Sequence, residues 1–187
     1  MFRIMLLFCL SFLFFSLNAQ QNITIKVEWT KFKSDNGKFS VLVPGLFSEK
    51  EDSTNTPLGI LKMHTFFYQP SVNKGHSNFM YMIQYCDYPE GTLDGLDTSF
   101  TNDFFASTRN EAAFSINGKV IYHTPVMLNN YQGQFWRIHY KNDTAVIKTK
   151  AYIVKNRYYA IQTITFKGLA SNTDTDKFFD SFQILEN

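Results

Sequence analysis

Four runs in the C-terminal half constrain the fold of this chain most. They are KVIYHTPVML (119–128), YQGQFWRIHYK (131–141), TAVIKTKAYIV (144–154) and RYYAIQTITF (157–166). Each is rich in β-branched and aromatic residues. Each is divided from the next by turn formers: Asn129-Asn130, Asn142-Asp143 and Lys155-Asn156-Arg157. Such spacing predicts an antiparallel meander. The chain is 17% Phe, Trp and Tyr, and aromatic residues suit strands and sheet-to-helix packing, so a β-rich core is expected.

The earlier segments add to this sheet. VEWTKFKSDNGKFSVLVPG reads as strand, turn, strand. Asp35, Asn36 and Gly37 supply residues that tolerate positive φ in a tight turn. Phe39, Val41 and Val43 fall on one side of the second strand, and Pro44-Gly45 stops it. No phosphate-cradling loop is expected here, because neither a Gly-Lys-Ser/Thr ending nor a following helix is present. SEKEDSTNTP (48–57) is polar and reads as an exposed loop or a hairpin end. GILKMHTFFYQ and NFMYMIQYCDYPEG read as an antiparallel strand pair.

The period changes near residue 97. Phe100, Phe104, Phe105, Thr108 and Ala112 share one helical stripe, with Asn102, Arg109 and Ala113 opposite. Asp97 is placed to cap the helix and Gly118 to end it. SNTDTDKFFDSFQIL closes the chain. Asp174 and Asp176 suit a helix's first turn, Phe178, Phe179 and Phe182 form its apolar side, and Ile184 and Leu185 read as a return strand.

The N-terminus carries a different message. Arg3 precedes an uncharged apolar run from Ile4 to Phe15, followed by Ser16, Asn18 and Ala19. This three-part pattern predicts a signal peptide over residues 1–19, with an uncleaved anchor as the alternative. Residues 20–187 then form a single domain, exported to the periplasm or secreted, with no transmembrane span after cleavage. Only Cys86 remains in it, so the fold must hold without an internal disulfide. Cys86 reads as a buried small apolar residue. The net charge of +2, +1 once Arg3 is gone, excludes a general nucleic-acid binder.

Catalytic motifs are missing. His64, His76, His123 and His139 form no HExxH or close Cys/His pair, and there is no nucleophile elbow. Strand pairing is one route by which His64 and His139 would meet. Asp87, Glu90, Asp94 and Asp97 match no calcium loop and read as loop solvation and helix capping. No metal and no cofactor are expected. The candidate binding residues lie on strand faces. Phe135, Arg137 and His139 share one side of their strand, Lys148, Lys150 and Tyr152 one side of the next, and Lys62, His64 and Tyr68 alternate in the same way. If these sides coincide, cations and aromatics line one surface suited to an anionic glycan, a peptide or a protein. The bland alternative is a solvated sheet face whose lysine stems cover apolar neighbours.

Taken in order, the DGKFSV-type hairpin of residues 37–45, the helix over residues 98–115, the strand pair within 151–164 and the terminal FFDSFQIL (178–185) resemble the Mog1/PsbP-like family. The resemblance implies an α+β fold, a central antiparallel sheet flanked by helices in an α/β/α sandwich. It also implies work by protein binding, since family members bind a small GTPase, photosystem subunits or secretion clients. It carries over no catalytic residue. The expectation is therefore an exported, non-enzymatic domain that binds an envelope or secreted protein. An anionic or glycan ligand on the aromatic-cationic face is the alternative, and a hydrolase assembled only in three dimensions is a third.

Overall fold

A seven-stranded antiparallel sheet forms the middle of the molecule. The computed structural model describes residues 27–71, 75–95 and 97–185. The leader assigned to residues 1–19 lies outside the described residues. The strands are β1 (Thr30–Ser34), β2 (Phe39–Val43), β3 (Ser48–Thr56), β4 (Gly59–Tyr68), β5 (Met80–Asp87), β6 (Lys119–Leu128), β7 (Tyr131–Tyr140), β8 (Ala145–Val154), β9 (Arg157–Phe166) and β10 (Gln183–Ile184). Helix α1 spans Thr98–Phe114 and α2 spans Thr173–Asp180. The large sheet has the order β3-β4-β5-β9-β8-β7-β6, and a small sheet has the order β1-β2-β10. The meander β6 to β9 is continuous, with Leu128 opposite Tyr131, Tyr140 opposite Ala145 and Val154 opposite Arg157. Asn129, Asn142 and Asp143 carry positive φ in the turns, which asparagine and aspartate tolerate best after glycine, and Lys141 and Lys155 carry it too.

The two faces of the large sheet are covered differently. On one face lie β1-β2-β10 and α2, and the core there is aromatic. Phe39, Val41, Tyr81, Ile83, Ile161 and Phe178 are fully buried in it. On the other face α1 packs over a smaller cluster with Phe105, Trp136, Ile138, Ala151 and Tyr158. The chain is thus α+β and antiparallel as expected. A helix covers one face; the other is covered by a small sheet together with the two-turn α2, so the flanking layer there is only partly helical.

Three sequence expectations change. SEKEDSTNTP is a hairpin arm and not a loop: residues 48–56 form edge strand β3, paired along its length with β4. Its polarity is that of an edge with one neighbour and both sides exposed. The helix stripe is rotated from the expected one. Thr101, Phe105, Arg109 and Ala113 are the buried residues, whereas Phe100 is 46% exposed. Arg109 is admitted beneath α1 because its Nη1 donates to Gln134 Oε1 at 2.7 Å. That bond satisfies one end of a polar pair inside the interface, and burial lowers the pKa of the guanidinium. Finally, the positive φ of the first hairpin falls on Lys38. Gly37 is required by space, since a Cβ there would lie 2.6 Å from the Phe39 ring and 2.8 Å from Ser34 Oγ.

Asp97 caps α1 by accepting from Phe100 N at 2.8 Å, and Asn172 caps α2 by accepting from Thr175 N at 2.8 Å. Cys86 is buried, and burial, with Asp87 beside it, pushes its thiol pKa up. Among the described residues no helix is long and apolar enough to cross a membrane.

Candidate functional site

Where the β8–β9 turn meets the β1–β2 turn, the surface opens into a cleft of about 590 Å³. Five segments wall it: Lys38 from the first hairpin, Asp87 and Tyr88 from the end of β5, Tyr131 from the start of β7, the 154–159 turn, and Ile184 and Leu185 after α2. Sheet topology brings them together. Strands β5, β8 and β9 are neighbours, and β10 returns the chain end to β2, where Leu185 N donates to Lys38 O at 2.9 Å.

Arg157 organises the cleft floor. Its Nε and Nη2 donate to the two oxygens of Asp87 at 2.5 and 2.7 Å, and Nη1 donates to Asn36 O at 2.9 Å. The guanidinium also lies over the Tyr85 ring, 4.7 Å from its centroid. This two-pronged pairing is the strong form of an arginine–carboxylate contact. Burial works against the charge, but the hydrogen bonds to Asp87 and Tyr159 outweigh it and raise the pKa of Arg157. Tyr159 completes the tie by donating its hydroxyl to Gly37 O at 2.7 Å. The Asn36-Gly37 turn is therefore clamped to β9 through both of its carbonyls. Asn156 ties down the adjoining 93–94 segment, where its Oδ1 accepts from Leu93 N at 2.9 Å and Asp94 N at 3.1 Å. Lys155 stands exposed at the rim.

The residues singled out from the sequence share one face of the sheet, the face beneath α2, but not one surface. Register places Phe135 opposite Lys150 and Arg137 opposite Lys148. Lys62, His64 and Tyr68 lie on β4, with three strands between it and β7, a separation of about 19 Å over four spacings of about 4.8 Å. The small sheet and α2 fill the space between, so His64 and His139 do not meet. Tyr152 is buried against Phe182 in a parallel stack, and burial raises its pKa to about 12. Phe135 packs edge-on against Phe179. Lys150 donates to Asp180 at 2.9 Å and lies over the Phe179 ring. On the far side His64 stacks on Tyr85 at 4.5 Å and faces Glu51, which also pairs with Lys62. Tyr68 stacks with Tyr81. These residues anchor α2 and the β3–β4 hairpin. Arg137, His139 and Lys148 form the remaining group, at the end of β7 and β8 away from the cleft. His139 Nδ1 contacts Asp143 Oδ1, and Asp143 is also bound by Lys167.

Sequence reasoning missed the cleft. Lys155-Asn156-Arg157 was legible only as a turn, and Asp87 only as a solvated acid. Their pairing joins residues 70 positions apart, and no local pattern encodes that.

Comparison with known proteins yields a fold likeness and no assignment. No family model matches the chain, and no curated protein matches it. The chain is similar to the solution structure of cyanobacterial PsbP (CyanoP) from Synechocystis sp. PCC 6803, with a TM-score of 0.49 and 9% identity, over 90% of this chain and 98% of that one. The likeness assigns no partner and no reaction.

Proposed function

We propose that this chain is an exported, non-catalytic binding domain that docks a protein partner of the cell envelope at the cleft between the first hairpin and the β8–β9 turn. The observation that supports this reading is how the cleft is built. Its strongest charges, Arg157 and Asp87, neutralise each other, so they fix the walls. Tyr88, Tyr131, Ile184 and Leu185 are left to offer a mixed apolar and phenolic surface with Lys155 at the rim. Aromatic groups with a polar tip, set beside a cation, are typical of protein-recognition surfaces. The resemblance of the element order to the Mog1/PsbP-like family, whose members bind proteins, fits the same role, and the leader-like N-terminus supports export.

The test is site-specific photo-crosslinking in the native envelope. A crosslinker at Lys155 is expected to capture one defined protein, and the capture is expected to disappear with Tyr131→Ala. The same crosslinker at Lys50, on the exposed edge strand β3, is the control. Equal capture from both positions, or capture indifferent to Tyr131, overturns the reading. N-terminal sequencing of the protein from that fraction tests export, with a start near Gln20 expected.

The second reading, an anionic ligand on the aromatic-cationic face, has one observation in its favour. Arg137 and Lys148 stand directly opposite each other with like charge.

A further inference from the structure

The end of β7 and β8 away from the cleft holds three basic side chains on one face. Arg137 lies opposite Lys148 in the ladder, and His139 is two residues further along β7 on the same side. Directly opposed residues in an antiparallel pair have Cβ atoms about 4.5–5.5 Å apart, and diagonal ones about 7–8 Å. The three side chains are therefore neighbours on one face. Like charges placed opposite each other destabilise a sheet, so this arrangement calls for a counter-charge.

The described residues supply only part of it. Arg137 Nε and His139 Nε2 are buried and have no hydrogen-bond partner, and His139 as a whole is 9% exposed. Among the described residues Lys148 has no ion pair, whereas its neighbour Lys150 is held by Asp180. Two acids are near. Asp143 is already engaged by His139 Nδ1 and Lys167. Asp176 is felt electrostatically by Lys148 but makes no ion pair with it. Burial lowers the pKa of Lys148, Asp176 partly offsets this, and Arg137 adds to it. The group is thus short of negative charge.

We propose that Arg137, Lys148 and His139 form a binding site for a phosphate group, presented by a soluble molecule or by a lipid head group. Three donors approaching from separate residues suit a tetrahedral anion with three accessible oxygens better than a two-oxygen carboxylate. Arg137 Nε and Lys148 Nζ each donate to one oxygen. His139 Nε2 donates to a third when the ring carries both protons, its Nδ1 remaining on Asp143. The site goes beyond the protein-docking reading of the cleft and does not depend on it.

The experiment is titration of the purified chain with inorganic phosphate, followed by thermal unfolding and calorimetry, with potassium chloride at matched ionic strength as the control. Saturable binding is expected, with Tm rising by about 3–6 °C at ten times Kd. Arg137→Gln and Lys148→Gln are each expected to weaken binding at least tenfold. Without phosphate, their Tm should stay level or rise by about 1–3 °C, because the like-charge opposition is relieved. Asp176→Asn should tighten binding, and Lys150→Gln should leave it unchanged. Phosphatidylglycerol vesicles that bind the chain and release it to inorganic phosphate identify a head-group source. Phosphate binding without vesicle binding identifies a soluble one. Phosphate acting no differently from chloride overturns the proposal. So does unchanged affinity in both glutamine variants, or a phosphate-free Tm that falls sharply in them, which would make Arg137 and Lys148 props of the fold.

Discussion

Arg157 and Arg137 occupy opposite ends of the same antiparallel ribbon, and their surroundings differ in one respect. Arg157 meets a carboxylate that accepts two of its hydrogen bonds, a backbone carbonyl and a tyrosine face. Arg137 meets a lysine. One guanidinium is therefore part of the scaffold, and the other retains unspent hydrogen-bonding capacity. Residue type does not decide which is which; the cross-strand partner does. On β9 the partner of Arg157 is Asp87 of β5, and on β7 the partner of Arg137 is Lys148 of β8.

The largest effect expected from this comparison is that of Arg157→Leu. It removes the two bonds to Asp87 and the clamp on Asn36, and urea unfolding should show a loss of about 2–4 kcal/mol. A loss below about 1 kcal/mol, the worth of an ordinary surface pair, would make the two arginines equivalent and break the contrast. Next in size is Asn156→Ala, which strands the buried amide of Leu93 at a cost of about 1–3 kcal/mol. It should also speed proteolysis within residues 91–95, while an unchanged digestion pattern would show that this segment stands without the tie. Lys150→Met should cost no more than about 1 kcal/mol, because its partner Asp180 is 71% exposed.

The smallest effect belongs to Asp143. The hydrogen bond from Lys167, and then that from His139, hold its carboxyl below the usual carboxylate range. A depressed folded value means that the stability it contributes is complete above about pH 4 and is lost as pH falls through that value. Asp143→Asn should therefore show a smaller drop in Tm between pH 5 and pH 3 than the parent chain. An identical drop would indicate that water screens the contact, Asp143 being 55% exposed.

Much of the fold was legible because its signals are local. The meander followed from turn residues and strand composition, and the first hairpin from Asp35-Asn36-Gly37. The terminal helix followed from its first-turn acids and its phenylalanines. What misled was hydrophobicity used as a proxy for burial. Phe100 looked like core and Arg109 like surface, yet Gln134 on a distant strand supplied the hydrogen bond that let Arg109 in. Strand β3 read as a loop or a hairpin end, because an edge strand paired on one side needs no apolar face. For the candidate site, the shared face of Arg137, His139 and Lys148 was legible from alternation. The separation of Lys62, His64 and Tyr68 from them depended on strand order.

By itself the sequence determined most of the strands, where they turn and which side chains share a strand face. Those properties depend on φ/ψ preferences and a two-residue period within a few positions of the chain. The tertiary structure alone decided which face lies beneath the small sheet and which cation meets a carboxylate. It also decided that a cleft exists where five segments end together. These are contacts between residues far apart in sequence, and their charges and donors are satisfied or left open only once the strand order is set.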